Sequence, residues 1–416
     1  MILHTIKGMN VIKIINFGPI IEGYQENDGW IDINNVTVFI GNQGSGKSTV
    51  AKLISILMWL EKSLLRGDVD VNSISYDYFI ELTKFHRIEN YFLPNTQIEY
   101  KGSTYHIIFI NKLVTAKKLN NKSVKQPKIM YVPAERNFLS SITDINKVSD
   151  LLVGSLKHYS VEFRNAQYAY KSKSIELPVN DRTKVIYDPK DDENYIEFQG
   201  GKQLKLSEAS SGFHSIVPLH WVTKYLSDFV KQKEEKLLEL LSTDQTIRRN
   251  NELKELNKLV FEEKKLRNQV KKINEKYVCK YFVNIVEEPE QNLFPSSQRL
   301  LLNSLLAYNN GNNMLIMTTH SPYLINYLTL AVEADKLKEK VKNSSVELKK
   351  RFSEIVPLHS TLNGEKLAIY QLEEGRIIKL KTYKGLPSDE NYLNDGLAES
   401  NELFSNLLDL EDELCQ

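Results

Sequence analysis

The chain has little of what several protein classes require. It contains only two cysteines, Cys279 and Cys415, among 416 residues, which excludes a disulfide framework and a zinc site built from cysteines. No apolar run approaches the length that spans a bilayer, and the first residues lack the charged-then-apolar layout of a signal peptide. A reducing cytoplasm is therefore the expected location, with no membrane partner.

An excess of charge of one sign is also missing. Lysine and arginine number 54 and aspartate and glutamate 53, so the formal net charge is +1. This balance gives no overall attraction for nucleic acid, and a contact with DNA or RNA would need a local basic patch. Hydrophobic residues at 41% and charged residues at 26% are typical of a soluble globular protein.

What the chain does contain is a phosphate-binding loop of the pattern G-x-x-x-x-G-K-[ST]. The β-branched run 36–40 before it predicts a buried strand, and the apolar stripe 50–57 after it predicts a helix. In this setting we expect backbone N–H groups to hold the α- and β-phosphates of ATP, Lys47 to reach the β- and γ-phosphates, and the Ser48 hydroxyl to bind Mg²⁺. The nucleotide-binding residues are then Gly41, Asn42, Gln43, Gly44, Ser45, Gly46, Lys47, Ser48 and Thr49.

Strand and helix patterns surround this loop. Strands are predicted at 11–15, 29–33 and 36–40, mainly helix from 50 to about 86, and a hairpin over 96–110 around Lys101-Gly102. The polar stretch 112–128 predicts a solvated loop, with a nucleic-acid contact as the alternative. Its lysines are Lys112, Lys117, Lys118, Lys122, Lys125 and Lys128.

A second apolar strand pattern, 281–286, ends in the adjacent acids Glu287 and Glu288, followed by Pro289. A solvated turn is one interpretation. The order of strand, acids and proline after a phosphate loop favours a Walker B strand, in which the first acid holds Mg²⁺ and the second polarises the attacking water. We therefore expect Glu287 to bind the metal together with Ser48, and Glu288 to be catalytic.

Two further strand ends carry polar residues. The run 314–319 ends at His320; a lone histidine is more often structural, but one strand after a Walker B motif it fits a sensor of the γ-phosphate. The run 129–133 predicts a strand that delivers Arg136 to the carboxyl end of the sheet. For Arg136, contact with a phosphate or a neighbouring subunit and a structural salt bridge are open alternatives.

Ser210, Ser211 and Gly212 lie in a turn that by itself only predicts a helix cap. With the other motifs, it resembles the signature motif of ABC-type ATPases, whose motif order this chain follows from about 11 to 326. The resemblance implies an α/β fold, an ABC/SMC-like ATPase head with a β-rich N-terminal lobe, a central mixed sheet flanked by helices, and a charged helical-hairpin insertion. It also implies a head-to-tail dimer with two ATP, in which Lys47 and Ser48 act in cis and Ser211 and Gly212 in trans.

Within that superfamily, the segments 14–20, 131–136, 210–212, 287–295 and 319–322 resemble the RecF- and OLD-type ATPases. That branch is related to the SMC proteins and includes the ATPase subunits of anti-phage systems, PtuA of Septu and AriA of PARIS. The usual first Walker B acid is aspartate; glutamate here, as in OLD-like proteins, implies retained metal binding and slow turnover. The Toprim nuclease domain of OLD proteins has too little room after His320, where a closing hairpin around Glu374-Gly375 is predicted.

The lysine- and glutamate-rich stretch 223–276 divides the chain into a first head part, 1–222, the helical insertion, and a second head part, 277–416. Two helices are predicted, with the chain reversing near 242–244. If the second helix runs over 247–276, it would be roughly 45 Å long at 1.5 Å per residue. The helical pair either projects from the globular body or lies flat on it. The acidic stretch 399–416 predicts an amphipathic helix that docks on its own body, with a partner as the alternative. Its apolar residues are Leu403, Phe404, Leu407, Leu408 and Leu410.

The sequence thus favours an ATP-hydrolysing switch with ATP and Mg²⁺ as cofactors, the sensor or scaffold of a prokaryotic anti-phage defence complex. Its expected partners are further copies of itself, a separate effector that is a nuclease or toxin, and a DNA or phage-protein trigger. The main alternative is a RecF-like DNA repair or recombination ATPase that binds duplex DNA. A transporter's nucleotide-binding subunit and a nucleotide-gated structural protein with negligible turnover are further alternatives.

Overall fold

The computed structural model describes residues 10–120, 125–142, 151–179, 182–259, 263–309 and 311–414. In these residues the helices are α1 Lys47–Arg66, α2 Tyr76–Lys84, α3 Phe138–Ser141, α4 Gly154–Ala169, α5 Ser211–Phe229, α6 Glu234–Glu239, α7 Thr243–Leu259, α8 Glu263–Tyr277, α9 Pro295–Tyr308, α10 Pro322–Lys342, α11 Val346–Ile355 and α12 Tyr392–Leu414. The strands are β1 Asn10–Phe17, β2 Gly23–Tyr24, β3 Ile31–Ile33, β4 Val36–Gly41, β5 Phe92–Lys101, β6 Tyr105–Ile110, β7 Leu113–Lys118, β8 Gln126–Val132, β9 Ile175–Glu176, β10 Lys184–Asp188, β11 Glu193–Glu197, β12 Gln203–Lys205, β13 Cys279–Glu287, β14 Met314–Thr318, β15 Leu367–Glu373, β16 Arg376–Lys379, β17 Thr382–Tyr383 and β18 Leu386–Pro387.

A mixed sheet of seven strands forms the centre, in the order β2-β16-β15-β4-β14-β13-β8. The five strands from β15 to β8 run parallel, and β16 pairs with β15 as the predicted antiparallel hairpin. All six residues of β4 are buried, as expected for a parallel strand covered on both faces. The parallel direction brings the carboxyl ends of β4, β14, β13 and β8 to one edge of the sheet.

Two hydrophobic clusters cover the two faces of this sheet. Alternate residues of a strand point to opposite faces, and β14 accordingly places Leu315 and Met317 in one cluster and Ile316 in the other. The first cluster contains residues of α5, α9 and α10, and the second contains α1 and the antiparallel sheet β3-β1-β5-β6-β7. This second sheet confirms the predicted β-rich N-terminal lobe.

The lysine-rich stretch 112–128 is not a loop throughout. Residues 113–118 form β7, the edge strand of the N-terminal sheet, with Val114 buried against the core and most other side chains exposed. An edge strand with one solvated face tolerates lysines, which blunt unwanted strand pairing. Lys122 lies outside the described residues, and Lys128 donates to the Glu162 carboxylate at 2.6 Å.

The helical insertion differs from the predicted pair. A break does lie near 242–244, since α6 ends at Glu239 and α7 begins at Thr243, and Asn274 contacts both Glu234 and Arg249 on its two sides. A second break separates α7 from α8, so the expected single helix over 247–276 is wrong. The two helices pair through Arg249 Nε, which donates to Asn274 Oδ1 at 2.9 Å, and through the Tyr277 hydroxyl, which donates to Glu252 Oε1 at 2.8 Å. Arg248 ties their base to Asp68, just after α1, at 2.7 Å.

The far end of this helical pair is exposed. Lys258 near the end of α7 and Arg267 near the start of α8 have most of their side-chain surface in solvent. At 1.5 Å per residue, α7 is about 25 Å long, and both the projecting and the flat arrangement stay predictions.

The prediction that the C-terminal helix α12 docks on its own body is wrong. Its apolar side chains are exposed: Leu403, Phe404, Leu407, Leu408, Leu410 and Leu414. Contact with the body is made at its start, where the Tyr392 N–H donates to Gln371 Oε1 at 3.0 Å and Leu393 packs against the first cluster. None of the helices in the described ranges combines the length and apolar character needed to cross a membrane.

Candidate functional site

The phosphate-binding loop joins the end of β4 to the start of α1, as predicted. Gly41 has φ 138°, and a Cβ there would lie 2.2 Å from the Leu372 carbonyl oxygen on β15, so only glycine fits. Gly46, with φ 103°, turns the chain directly into α1 at Lys47. The loop residues 42–44 are exposed, whereas Thr49 is buried. The free N–H groups of the first helical turn therefore lie at the carboxyl edge of the sheet.

Lys47 is held inside this loop. Its ammonium donates to the carbonyl oxygens of Gly41 at 2.9 Å and Asn42 at 2.7 Å, and the residue is 5% exposed. Burial lowers the pKa of Lys47 to about 8, although the negative charges of Glu288 and Glu290 act to raise it. An ammonium whose charge is this poorly solvated gains strongly from a neighbouring anion.

Strand register places the acids and the histidine beside the loop. Thr318 on β14 lies next to Phe39 on β4 on one side and next to Glu287 on β13 on the other. Because adjacent strands are about 4.8 Å apart, the acid strand ends roughly 10 Å from the loop strand. His320 follows β14, which runs between them. The central sheet thus brings together the phosphate loop, both predicted Walker B acids and the predicted sensor.

Glu287, the predicted metal ligand, is buried at the end of β13. Its Oε2 accepts a hydrogen bond from the Ala134 N–H at 3.1 Å. The pKa of the Tyr131 hydroxyl is well above its usual value, mainly because the hydroxyl is buried and secondly because the Glu287 carboxylate is close to it. No group of three or more His, Cys, Asp or Glu side chains in the described part of the chain is arranged around a metal position. A carboxylate with the Ser48 hydroxyl nevertheless fits Mg²⁺, which takes most of its ligands from phosphates and water.

Glu288, the predicted catalytic residue, turns away from the strand with φ 43°. Its N–H donates to the Thr318 carbonyl at 3.0 Å, and its Oε1 lies 3.5 Å from His320 Nε2. The hydrogen bond to His320 is the largest cause of a lowered pKa for Glu288, supported by the charges of His320, Lys47 and Arg136. The side chain is 36% exposed, so it is an ionised carboxylate that water can reach.

Glu290 is a half-buried acid with a carboxylate shielded from solvent, and the sequence alone assigns it no role. Its Oε1 accepts from the Thr319 hydroxyl at 2.8 Å and from the His320 N–H at 2.7 Å. Burial raises the pKa of Glu290 above its usual value. Glu290 therefore fixes the backbone that carries His320. The only local signal is its position two residues after the acid pair, across Pro289.

Arg136 fits neither alternative that the sequence left open. It is fully buried, and its guanidinium donates to backbone carbonyls and to Ser215 rather than to a carboxylate or outward to solvent. No carboxylate of the described residues forms an ion pair with it. Its contacts join β13 to α5.

The predicted signature residues lie at the start of α5. The Ser210 carbonyl accepts from the N–H groups of Phe213 and His214, at 2.9 and 3.2 Å, while its side chain makes no capping hydrogen bond. Ser210 and Ser211 are exposed, and a Cβ on Gly212 would come 3.0 Å from the Asn292 carbonyl oxygen. Within the described ranges no hydrogen bond joins these residues to the phosphate loop of the same chain.

One family model matches part of the chain. The family AAA ATPase domain (AAA_15) matches residues 253–325, which contain Glu287, Glu288 and His320 but not the phosphate loop. Among curated proteins, none matches this chain.

The chain is also similar to several solved structures. The SMC head domain from Thermotoga maritima shows 11% identity, a TM-score of 0.38, and coverage of 90% of this chain and 100% of that chain. The Smc head domain with an extended coiled coil from Pyrococcus furiosus, bound to the C-terminal domain of ScpA, shows 9% identity, a TM-score of 0.38 and coverage of 96% and 99%. The ATP-binding cassette MJ0796, a dimer bound to ADP and Pi, shows 12% identity, a TM-score of 0.28 and coverage of 90% and 100%.

Proposed function

We propose that the chain is an ATPase that converts ATP and water to ADP and phosphate at the carboxyl edge of its central sheet. The observation that carries this proposal is that the neighbouring strands β4, β14 and β13 bring Lys47, His320 and Glu288 to one edge. A buried ammonium, an ionised carboxylate and an imidazole in this arrangement suit the phosphates, the attacking water and the γ-phosphate respectively.

Each residue has a distinct task in this mechanism. Lys47 and the N–H groups of the loop bind the phosphates, while Ser48 and Glu287 are the residues that would hold Mg²⁺. Bound Mg²⁺ would neutralise phosphate charge. Glu288 orients the attacking water and accepts its proton, and its lowered pKa keeps it ionised near neutral pH. His320, whose backbone is held by Glu290, donates a hydrogen bond to the phosphate or to the water.

The signature residues support a homodimer or higher homo-oligomer with ATP at the interface. Ser210 and Ser211 present exposed hydroxyls at the start of a 19-residue helix, a place where N–H groups favour an anion. In the proposed dimer these residues, with Gly212, bind the γ-phosphate held by the loop of the partner subunit. Each chain would therefore serve two ATP sites, one with its loop and acids and one with α5.

We further propose that this ATPase is a cytoplasmic switch, the sensor or scaffold of an anti-phage defence complex whose nuclease or toxin is a separate chain. The resemblance of 131–136, 287–295 and 319–322 to the OLD-type ATPases supports this context. The exposed apolar residues of α12 are a candidate surface for the effector. A phage protein or DNA would shift the population between open and closed dimers.

The catalytic assignment is tested with Glu288→Gln, which keeps the size of the side chain but cannot accept a proton. We expect phosphate release to fall at least about 100-fold because general-base catalysis is lost, while titration with labelled ATP shows binding retained. Glu239→Gln, an exposed glutamate on α6, is the matched control. Unchanged turnover in Glu288→Gln would overturn the mechanism.

The same variant tests the partners, because it should accumulate the closed state. Tagged Glu288→Gln protein would be purified from its own host with ATP and Mg²⁺, and the native mass and contents of the complex measured. A higher oligomer with a second protein in fixed ratio supports the defence switch. A bare dimer that retains duplex DNA would instead favour a DNA-repair ATPase.

A further inference from the structure

Arg136 makes an unusual set of contacts beneath the acid pair. On one side its guanidinium Nη1 donates to the Glu287 carbonyl and its Nη2 to the Glu288 carbonyl, each at 2.7 Å. On the other side Nε donates to the Ser215 carbonyl at 3.2 Å and Nη2 to the Ser215 hydroxyl at 2.9 Å. One fully buried side chain thus holds the end of β13 and the second turn of α5 together.

Stability alone does not account for this residue. Burying a guanidinium carries a large desolvation cost, and well-packed apolar side chains are often at least as stable in such places. The lowered pKa of Arg136 reflects that cost, which the nearby hydroxyl of Tyr159 and the carboxylates of Glu290, Glu288 and Glu287 only partly offset. What a guanidinium supplies is a rigid planar set of five donors, able to fix two backbone segments at once in a way that lysine cannot.

The two segments that it joins belong to different ATP sites of the proposed dimer. Glu287 and Glu288 serve the ATP held by their own chain, whereas α5 begins with the residues that contact the ATP of the partner. A second contact reinforces the link, since the Ser140 hydroxyl of α3, a few residues after Arg136, donates to the His214 carbonyl at 2.9 Å. A displacement of either segment must therefore break these hydrogen bonds or move the other segment.

We propose that Arg136 is a positioning residue that couples the two ATP sites of the dimer, by holding the acid pair of one site and the α5 helix of the other. This inference rests on the proposed function. Closure at the acid pair of one site then orients the serine hydroxyls at the second, so that the two ATP molecules are hydrolysed cooperatively.

Three variants test the coupling in the full-length protein. Arg136→Lys keeps the charge but loses the planar donors, and Ser215→Ala removes one of the bonds to α5 without touching the arginine. Ser227→Ala is the matched control, because Ser227 is equally buried on the same helix and its hydroxyl has no hydrogen-bond partner among the described residues. Thermal unfolding of each variant separates loss of folded protein from loss of coupling.

The readouts are kcat, KM and the Hill coefficient, from phosphate release measured over a range of ATP concentrations. For the wild type we expect a Hill coefficient above one. Arg136→Lys should bring it close to one and lower kcat by roughly tenfold, Ser215→Ala should do the same to a smaller extent, and Ser227→Ala should match the wild type. If Arg136→Lys does not fold, Ser215→Ala decides.

Two results would overturn the coupling while leaving the ATPase intact. One is a wild type that hydrolyses ATP with a Hill coefficient of one. The other is a Ser215→Ala or folded Arg136→Lys variant that keeps wild-type cooperativity, even if its kcat falls. A wild type that does not hydrolyse ATP at all would overturn the proposed function itself and, with it, the coupling.

Discussion

The carboxyl edge of the central sheet buries charged groups, whereas the C-terminal helix α12 exposes apolar side chains. At the edge, the charged groups of Lys47, Arg136 and Glu290 are buried, and each has hydrogen-bond partners in the same chain. Along α12, Leu407 is 63% exposed and Leu414 is 86% exposed. Polar groups are covered in one region, and apolar groups are in solvent in the other.

The difference separates charged groups that are hydrogen-bonded within one chain from apolar groups that are left open to a partner. Burying a charge is costly unless it is bonded, and the Lys47 ammonium, the Arg136 guanidinium and Glu290 Oε1 have such bonds within a single chain. An exposed row of leucines contributes little to the stability of that chain. Residues 392–414 also carry seven acidic residues and no lysine or arginine, which disfavours pairing with a second α12 and favours a basic partner surface.

The largest expected effect comes from removing the buried ammonium at the edge. Lys47→Ala should weaken ATP binding at least about 100-fold, because charge-assisted bonds to phosphate are among the strongest in proteins. Isothermal titration with ATP and Mg²⁺ measures the loss. Lys52→Ala, one turn further along α1, is the control and should bind as the wild type does. Equal affinities in all three proteins would remove the loop from the proposed site.

A smaller effect follows from the low pKa of the same group. Since burial lowers the pKa of Lys47 to about 8, the free protein loses this charge between pH 8 and the usual lysine value. ATP then binds only with uptake of a proton, so affinity should fall by up to about tenfold per pH unit above pH 8. Binding heats in two buffers of different ionisation enthalpy report the proton directly.

The control for this pH dependence is Lys47→Arg. A guanidinium stays charged throughout that range, so any remaining affinity should be nearly independent of pH from 8 to 10. Proton release on binding by the wild type, or a steep pH dependence in Lys47→Arg, would contradict the assignment to Lys47.

The local parts of this site could be predicted from the sequence, because local patterns determine them. The run 36–57 gives strand, loop and helix in order, and the Glu374-Gly375 turn correctly marks the hairpin of β15 and β16. The contacts of Arg136 could not be predicted. Ser215 lies 79 residues away in the chain and Glu287 151 residues away, and no spacing rule connects them.

The wrong predictions have a similar cause. A lysine-rich stretch looks like a loop until its neighbours show that 113–118 is the edge of a sheet. An amphipathic pattern identifies an apolar face but not what covers it, and own-body docking was wrong for α12. Propensity alone also did not show that the helical insertion breaks between α7 and α8.

The smallest expected effect belongs to α12, and it sharpens the contrast between the two regions. Leu407→Ala should change the free energy of unfolding by no more than about 0.5 kcal/mol, as for an exposed position. Leu305→Ala on α9, where the leucine is 2% exposed, should cost about 2–5 kcal/mol. Urea unfolding of the isolated protein measures both. A loss above about 1 kcal/mol in Leu407→Ala would mean that α12 is already covered in the free protein, by its own body or by another copy, and would remove it as an effector surface.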